Sequence, residues 1–222
     1  MKTKTVPTTI LAAFVLLFTA QAARAQTETP RYEAGVQFSS LSINEPNSSL
    51  YRTEPGFGGR FTVSLKDFLA VEAETNFYPN QSVFGNFNTA GRAFSGLFGA
   101  KIGKRYNRFG IYGRVRPGFV SFSEGASNYV PIPGSTSQFP FQFERRRATH
   151  FATDVGGVLE FYPSRRIVTR FDLGDTIIRY NRRTINEPGF FSTTAPVSLI
   201  TFTIPSETKH NFQFNAGVGY RF

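Results

Sequence analysis

The amino-acid sequence predicts an all-β protein, a transmembrane eight-stranded antiparallel up-and-down β-barrel. Three observations lead to this fold class. Apolar and polar residues alternate with a period of two, the connections between the alternating runs are short and long in turn, and the charges fall on one face of the runs. With 40% hydrophobic, 16% aromatic and only 18% charged residues, the chain is too apolar to be disordered.

Residues 1–25 have the pattern of a secretory signal peptide. A short lysine-containing start precedes an apolar stretch at 10–18, and a small-x-small cleavage motif follows at 23–25. The apolar stretch is about nine residues long, whereas a membrane-spanning helix needs roughly 20. We therefore expect an exported protein in which residues 26–222 form one barrel domain.

The strands are predicted from eight runs in which every second residue is apolar, as in Tyr32, Ala34, Val36 and Phe38 of the first run. Segments of about ten residues, tilted, are long enough to cross the hydrocarbon layer. The eight predicted strands are 31–42, 57–65, 69–77, 93–103, 109–120, 150–161, 167–179 and 211–222.

The connections alternate in length along the chain. Short turns follow the second, fourth and sixth strands, whereas longer loops near 43–56, 78–92, 121–149 and 180–210 follow the others. Short turns on one rim and long loops on the other are typical of membrane barrels, which must also close because an open sheet edge would leave backbone groups unpaired in lipid. The chain ends are then expected on the short-turn side.

The two faces of the predicted strands differ in charge. One face is almost uncharged, whereas the other carries six cations and six acids, which suits a small, neutral barrel interior. A soluble lipocalin-like barrel with the apolar face inside is the alternative architecture. The charged positions are Arg60, Lys101, Arg114, Arg116, Arg170 and Arg221, with Glu33, Glu72, Glu74, Asp154, Glu160 and Asp172.

Aromatic residues at the strand ends are predicted to form interfacial girdles. These residues are Tyr32, Phe68, Phe77, Tyr78, Phe109, Phe161, Tyr162, Tyr180 and Phe212.

The final strand, Phe212-Gln213-Phe214-Asn215-Ala216-Gly217-Val218-Gly219-Tyr220-Arg221-Phe222, resembles the last strand of bacterial outer-membrane barrels. Segments 99–105 and 170–175 are similar to parts of small OmpA-like eight-stranded barrels. The resemblance implies the bacterial outer membrane as location and outer-membrane lipid as surroundings. It also implies that Tyr220 and Phe222 form the signal that the barrel-assembly machinery reads during biogenesis. Because no peptidoglycan-binding domain follows the barrel, a link to the cell wall is not implied.

Ten of the inward charges are predicted to meet as a structural ion network, since buried charges must be paired. A narrow or gated pore, in which arginines and acids exchange partners, is the alternative. Acid/base chemistry at Glu72 and Glu74 is disfavoured because each acid has a nearby cation. The ten are Arg60, Glu72, Glu74, Lys101, Arg114, Arg116, Asp154, Glu160, Arg170 and Asp172.

The sequence does not predict an enzyme or a cofactor site. It has no cysteine and only two histidines. Lipid A deacylases use a similar small barrel with a His-x-Ser pair, but His150 is followed by Phe151-Ala152 and His210 by Asn211-Phe212.

Two groups of cations lie at the predicted rims. Those near the long loops suit phosphate binding by arginine and are candidate lipopolysaccharide contacts. These are Arg145, Arg146, Arg147, Arg179, Arg182 and Arg183. The short turns carry further lysines and arginines, which favour anionic headgroups of the inner leaflet. Export argues against nucleic acid as a partner, and we expect a monomer with a structural or surface-interaction role.

Overall fold

The computed structural model describes residues 31–46, 49–82, 89–137, 139–189 and 198–222. The predicted signal peptide lies outside these residues. Within the described ranges, no helix is long and apolar enough to cross a membrane. The strands are β1 Tyr32–Asn44, β2 Tyr51–Lys66, β3 Leu69–Ser82, β4 Gly91–Arg105, β5 Phe109–Pro131, β6 Phe141–Phe161, β7 Ile167–Tyr180, β8 Arg183–Gly189, β9 Ser198–Ile204 and β10 Glu207–Arg221.

Eight of these strands form a closed antiparallel barrel in the order β1-β10-β7-β6-β5-β4-β3-β2. Each strand pairs with its neighbours in sequence, apart from the β8–β9 insertion, and β1 closes the barrel against β10, with Glu33 opposite Arg221. Beside this seam, Tyr32 N donates to Phe222 O at 3.2 Å and Phe222 N donates to Tyr32 O at 2.9 Å. The predicted eight-stranded barrel is confirmed.

The alternation in sequence separates an outer from an inner face. On β1, Val36 and Phe38 point outward and are 69% and 48% exposed, whereas Glu33 and Gln37 point inward and are buried. The same arrangement on the other barrel strands produces an exposed apolar band around a polar interior. This orientation excludes the lipocalin-like alternative, which requires the apolar face inside.

Several strands extend beyond their predicted ends. The predicted loop at 121–149 is mostly strand, because β5 continues to Pro131 and β6 begins at Phe141. The register between them shifts between Phe122 and Ala126, and this irregularity interrupts the alternation on which the sequence prediction depended. A strand of about ten residues spans a membrane, so the outer parts of β5 and β6 project beyond it as a hairpin.

The predicted loop at 180–210 also contains regular structure, since β8 and β9 form a separate two-stranded sheet. This small sheet contacts the projecting part of β5. The guanidinium of Arg183 donates to Gly125 O at 2.8 Å, and Asn186 N donates to Asn128 Oδ1 at 2.6 Å. The two hairpins therefore support each other above the barrel.

Candidate functional site

Ion pairs between opposite walls fill the middle of the barrel. Arg170 on β7 and Glu72 on β3 are four strands apart in either direction around the barrel, so they face each other across its interior. The two guanidinium nitrogens of Arg170 donate to the two carboxylate oxygens of Glu72 at 2.7 and 3.0 Å. This bidentate pair spans the bore, and both side chains are fully buried.

Arg116 on β5 is the centre of a second set of contacts. Its Nη1 lies 2.5 Å from Glu74 Oε2 and 3.2 Å from Glu72 Oε1, and its Nε donates to Asp154 at 3.0 Å. Arg116 therefore connects β5 to β3 and β6, and none of these four side chains is accessible to solvent.

The other charged residues predicted to face inward are also buried and paired. Arg114 contacts Asp172 and, at 2.7 Å, Asp154. Lys101 contacts Glu160, and Arg60 Nη2 lies 3.0 Å from Glu33 Oε1. All ten residues of the predicted network thus lie in the interior: Arg60, Glu72, Glu74, Lys101, Arg114, Arg116, Asp154, Glu160, Arg170 and Asp172.

Amide side chains form the next layer toward the long-loop rim. Gln37 Nε2 donates to Asn76 Oδ1 at 2.8 Å, and Asn76 Nδ2 donates to Glu74 Oε1 at 2.8 Å. From β10, three strands away, Asn215 Nδ2 donates to the same Glu74 oxygen at 3.1 Å. The carboxylate of Glu74 is thereby fully engaged, which satisfies the requirement that a buried charge be hydrogen-bonded.

An apolar layer closes the interior above the amides. Its members are Leu41, Ile43, Tyr78, Ala93, Val120, Phe122, Ala152, Ile178 and Tyr180. Phe122 stacks on Tyr180 at a centroid distance of 6.4 Å, and Tyr78 forms a 2.9 Å hydroxyl hydrogen bond with Ser39. Water is unfavourable among such side chains, so this layer separates the ion pairs from the long-loop side.

The aromatic-girdle prediction is wrong for three of its tyrosines. All three are buried. Tyr78 and Tyr180 occupy inward positions because β3 and β7 continue past the ends that the sequence indicated, whereas Tyr162 directly follows the end of β6. Tyr162 lies at the short-turn end and donates to Glu160 at 2.9 Å. Burial, and then the Glu160 carboxylate, raise the pKa of Tyr162, so its hydroxyl keeps the proton that it donates.

Sequence reasoning missed a further buried cluster nearest the long-loop rim. Arg52 Nη1 lies 2.7 Å from Glu45 Oε1, and Arg52 Nε lies 2.7 Å from Glu54 Oε1. Thr89 donates to Glu45 at 3.2 Å. These residues fall in predicted loops, although Arg52 and Glu54 continue the inward positions of β2 and could have been found by extending its alternation.

The model of the family described as "Outer membrane protein beta-barrel domain" matches residues 10–222. The chain belongs to this family. The bacterial outer membrane is therefore its location, and the short turns of such barrels are periplasmic while the longer loops are extracellular. No curated protein matches the chain significantly.

Several solved structures are similar to this outer-membrane barrel. Ail, the attachment invasion locus protein of Yersinia pestis, is 16% identical with a TM-score of 0.49, covering 88% of this chain and all of that chain. Neisserial surface protein A is 14% identical with a TM-score of 0.48, covering 86% and 97%. OprG from Pseudomonas aeruginosa is 9% identical with a TM-score of 0.47, covering 88% and 97%.

The six rim arginines of the outer-membrane barrel are not equivalent. Arg145 lies 2.5 Å from Glu124, and Arg146 lies 2.7 Å from Glu144. Arg183 contacts the β5 backbone through Gly125 O. The other three arginines are exposed, and among the described residues they form no ion pair. These three are Arg147, Arg179 and Arg182.

The tip of the β5–β6 hairpin carries an aromatic cluster that the sequence reasoning did not single out. The ring of Tyr129 lies 5.0 Å from that of Phe143 and 6.1 Å from that of Phe139, and Phe139 lies 5.6 Å from Phe141. The guanidinium of Arg145 lies 5.4 Å from the Phe143 ring. Aromatic and cationic side chains thus share one extracellular surface.

The two histidines lie on different faces of the barrel. His150 is inside, where its Nδ1 accepts a hydrogen bond from Asn181 N at 3.4 Å, whereas His210 is outside and its Nδ1 lies 2.5 Å from Asp175 Oδ2. Among the described residues, no serine or threonine hydroxyl hydrogen-bonds to either imidazole, and no three metal-ligating side chains cluster.

Tyr220 and Phe222 lie on the outer wall at the periplasmic end. Their rings stack with centroids 6.5 Å apart, and Phe222 also stacks on Tyr32 at 5.9 Å. The outward Tyr220 hydroxyl accepts a hydrogen bond from Arg166 at 3.2 Å. Both predicted recognition residues are therefore reachable from outside the barrel.

Proposed function

We propose that this protein is a non-conducting, non-enzymatic outer-membrane barrel that helps maintain the membrane and uses its extracellular surface to bind lipopolysaccharide. The proposal that the barrel does not conduct depends on the bidentate Arg170–Glu72 pair, which spans the interior between opposite walls. The alternative of a small pore would require ions to pass this pair and the apolar layer above it.

The extracellular extensions support a role at the surface. Nine residue steps separate Phe122 from Pro131, which is about 30 Å along an antiparallel strand. A membrane-spanning barrel does not need this length. A long hairpin held by a second one is suited to placing side chains among the sugars and phosphates outside the bilayer.

Lipopolysaccharide fits the chemistry of this rim. Guanidinium groups bind phosphate through paired hydrogen bonds, and aromatic rings offer flat apolar faces to sugars. β6 and β7 are adjacent, and the contact between His150 and Asn181 brings the segment after β7 beside β6. Arg147, Arg179 and Arg182 therefore belong to one side of the rim. Among the described residues, none of their charges is balanced by an ion pair.

The last strand and the closed barrel support two further parts of the proposal. The outward positions of Tyr220 and Phe222 are consistent with recognition by the barrel-assembly machinery during biogenesis. A single chain closes the whole barrel through the β1–β10 seam, which supports a monomer as the working state.

A binding experiment with purified lipopolysaccharide tests the proposed surface. The variant Arg147→Gln/Arg179→Gln/Arg182→Gln, in nanodiscs of zwitterionic lipid, should bind at least about tenfold more weakly than the wild type, because charge-assisted hydrogen bonds are removed. Wild-type binding should also weaken with salt.

The matched control removes three charges from the opposite rim. Lys104→Gln/Arg108→Gln/Arg165→Gln should bind lipopolysaccharide like the wild type, since these side chains are exposed at the periplasmic end of the barrel. If both triple variants bind lipopolysaccharide equally weakly, the net charge of the protein alone explains the binding, and the proposed contacts are refuted. Unchanged binding by the extracellular variant would also refute them.

A further inference from the structure

A cavity of about 330 Å³ lies inside the periplasmic mouth of the barrel, and the ion pairs nearest this mouth contribute to its lining. The starts of β1, β3 and β5 and the ends of β2, β4, β6 and β10 surround it. Its volume lies at the lower limit of small-molecule sites, and residues of the β2–β3 turn contribute to its lining. The cavity is separate from the extracellular surface, so a ligand there is independent of the proposed lipopolysaccharide binding.

The lining of the cavity has an excess of positive charge. Five cationic and three acidic side chains contribute to it. Two of the acids are already held by cations: Glu160 contacts Lys101 and lies 3.1 Å from Arg221, and Glu33 lies 3.0 Å from both Arg221 and Arg60. The lining therefore carries two more positive than negative side chains.

Two cations stand nearer the opening without a carboxylate partner. Among the described residues, Lys66 and Arg105 form no ion pair, and they lie over the rings of Phe68 at 5.6 Å and Tyr162 at 4.6 Å. Both occupy strand ends that face the cavity. A ring satisfies a cation only in part, so both groups keep donors available for a ligand.

A buried donor at the inner end of the cavity is also unsatisfied. Arg221 uses Nε for Glu33 and Nη2 for Glu160, but its buried Nη1 has no hydrogen-bond partner among the described residues. Leaving such a group unpaired is unfavourable, and an anion in the cavity, with a small adjustment of the guanidinium, would satisfy it.

We propose that the periplasmic mouth is a binding site for a phosphomonoester. The lining has five positive and three negative side chains, an excess of two, which matches the charge of roughly −1.5 to −2 that a phosphomonoester carries at neutral pH. Its oxygens accept several hydrogen bonds at once, as arginine and lysine donors on different strands require. The group is carried either by a soluble periplasmic molecule or by a lipid headgroup such as that of phosphatidic acid.

Calorimetric titration with glycerol 3-phosphate tests this site. The full mature barrel is refolded in a phosphate-free maltoside detergent, and its heat-dependent gel mobility verifies that each variant is folded. The wild type should bind one equivalent saturably, and Lys66→Gln/Arg105→Gln should bind about tenfold more weakly for each cation that is neutralised. These two residues are near the opening and outside the buried network, so the substitutions should not prevent folding.

The control is Lys104→Gln/Arg108→Gln, which removes the same charge from the same periplasmic rim at side chains that do not line the cavity. This variant should bind glycerol 3-phosphate within about twofold of the wild type, because distant exposed charges are screened. Absence of saturable binding by the wild type, or equal weakening in the two double variants, would overturn the proposal.

A second arm of the experiment distinguishes the two sources of the phosphate. Wild-type protein is titrated in nanodiscs of phosphatidylcholine with and without phosphatidic acid. If the lipid headgroup fills the cavity, phosphatidic acid should weaken binding of glycerol 3-phosphate. If the natural ligand is soluble, the affinity for glycerol 3-phosphate should be the same in nanodiscs with and without phosphatidic acid. Either result supports the site.

Discussion

At the scale of single residues, the interior is held by charges that have no access to solvent. Arg116 illustrates this, since it contacts Glu72, Glu74 and Asp154 at once. Removing such a cation leaves carboxylates buried without compensation, which is far more unfavourable than breaking an exposed ion pair. We therefore expect the network to be required for folding.

Arg116→Met should lower the free energy of unfolding by about 3–5 kcal/mol, as measured by urea unfolding of the barrel in detergent. Arg146→Met is the matched control. The Arg146 side chain is 76% exposed, and it pairs with Glu144 at 2.7 Å. Its removal should cost at most about 1 kcal/mol. Similar destabilisation of the two variants would contradict the account of the interior.

Adding Glu74→Gln to Arg116→Met tests whether charge itself is responsible. The double variant should recover part of the stability that Arg116→Met removes, because one of the uncompensated carboxylates becomes neutral. The contrary result is that Glu74→Gln lowers the free energy of unfolding by the same amount in Arg116→Met as in the wild type. That result would show that the two residues act independently.

The sequence indicated which residues face inward but not which of them pair. Alternation assigned Arg170 and Glu72 to the same face, yet their contact across the bore depends on how the strands are staggered around the closed barrel. The stagger is a property of the whole sheet. No spacing along the chain reveals that residues 98 positions apart would meet.

At the scale of strands and hairpins, the extracellular structure depends on contacts between two elements. The β8–β9 sheet has only two strands, and isolated two-stranded hairpins are marginally stable. Its hydrogen bonds with β5, through Gly125 and Asn128, therefore determine where it lies.

Asn128→Ala should release the β8–β9 hairpin without unfolding the barrel. Removal of one hydrogen bond should increase trypsin cleavage beside Arg182 and Arg183 about two- to tenfold, when opening is fast relative to cleavage. The fragments are identified by mass spectrometry. Asn107→Ala, in a periplasmic turn, should leave the cleavage rate unchanged. Equal rates for wild type and Asn128→Ala would mean that this hydrogen bond does not hold the hairpin.

The elements that the sequence predicted least well are those that extend beyond the barrel wall. The eight barrel strands follow from long alternating runs, whereas β8 and β9 have only seven residues each and were assigned to a loop. Within β9, Ile200, Phe202 and Ile204 do alternate with threonines, but the run is short.

Likewise the outer part of β5 follows a register shift between Phe122 and Ala126. Beyond this shift, the alternation of apolar and polar residues no longer identifies the inward face of the strand. Longer strands also explain why Tyr78 and Tyr180 lie inside.

At the scale of the whole molecule, the interior is divided into layers along the barrel axis. The cavity at the periplasmic mouth is followed by ion pairs, amides, an apolar layer and the Arg52 cluster. The ion pairs, the amides and the apolar layer lie between this cavity and the extracellular side. Binding functions are therefore expected at the two rims of the barrel.

The most direct test of a closed interior is the electrical conductance of the wild-type barrel in a planar lipid bilayer, with a porin as positive control. We predict no steady single-channel steps, because the Arg170–Glu72 pair and the apolar layer close the bore. Steady steps that change when Arg114 or Arg116 is neutralised would contradict this prediction and establish a pore through the charged interior.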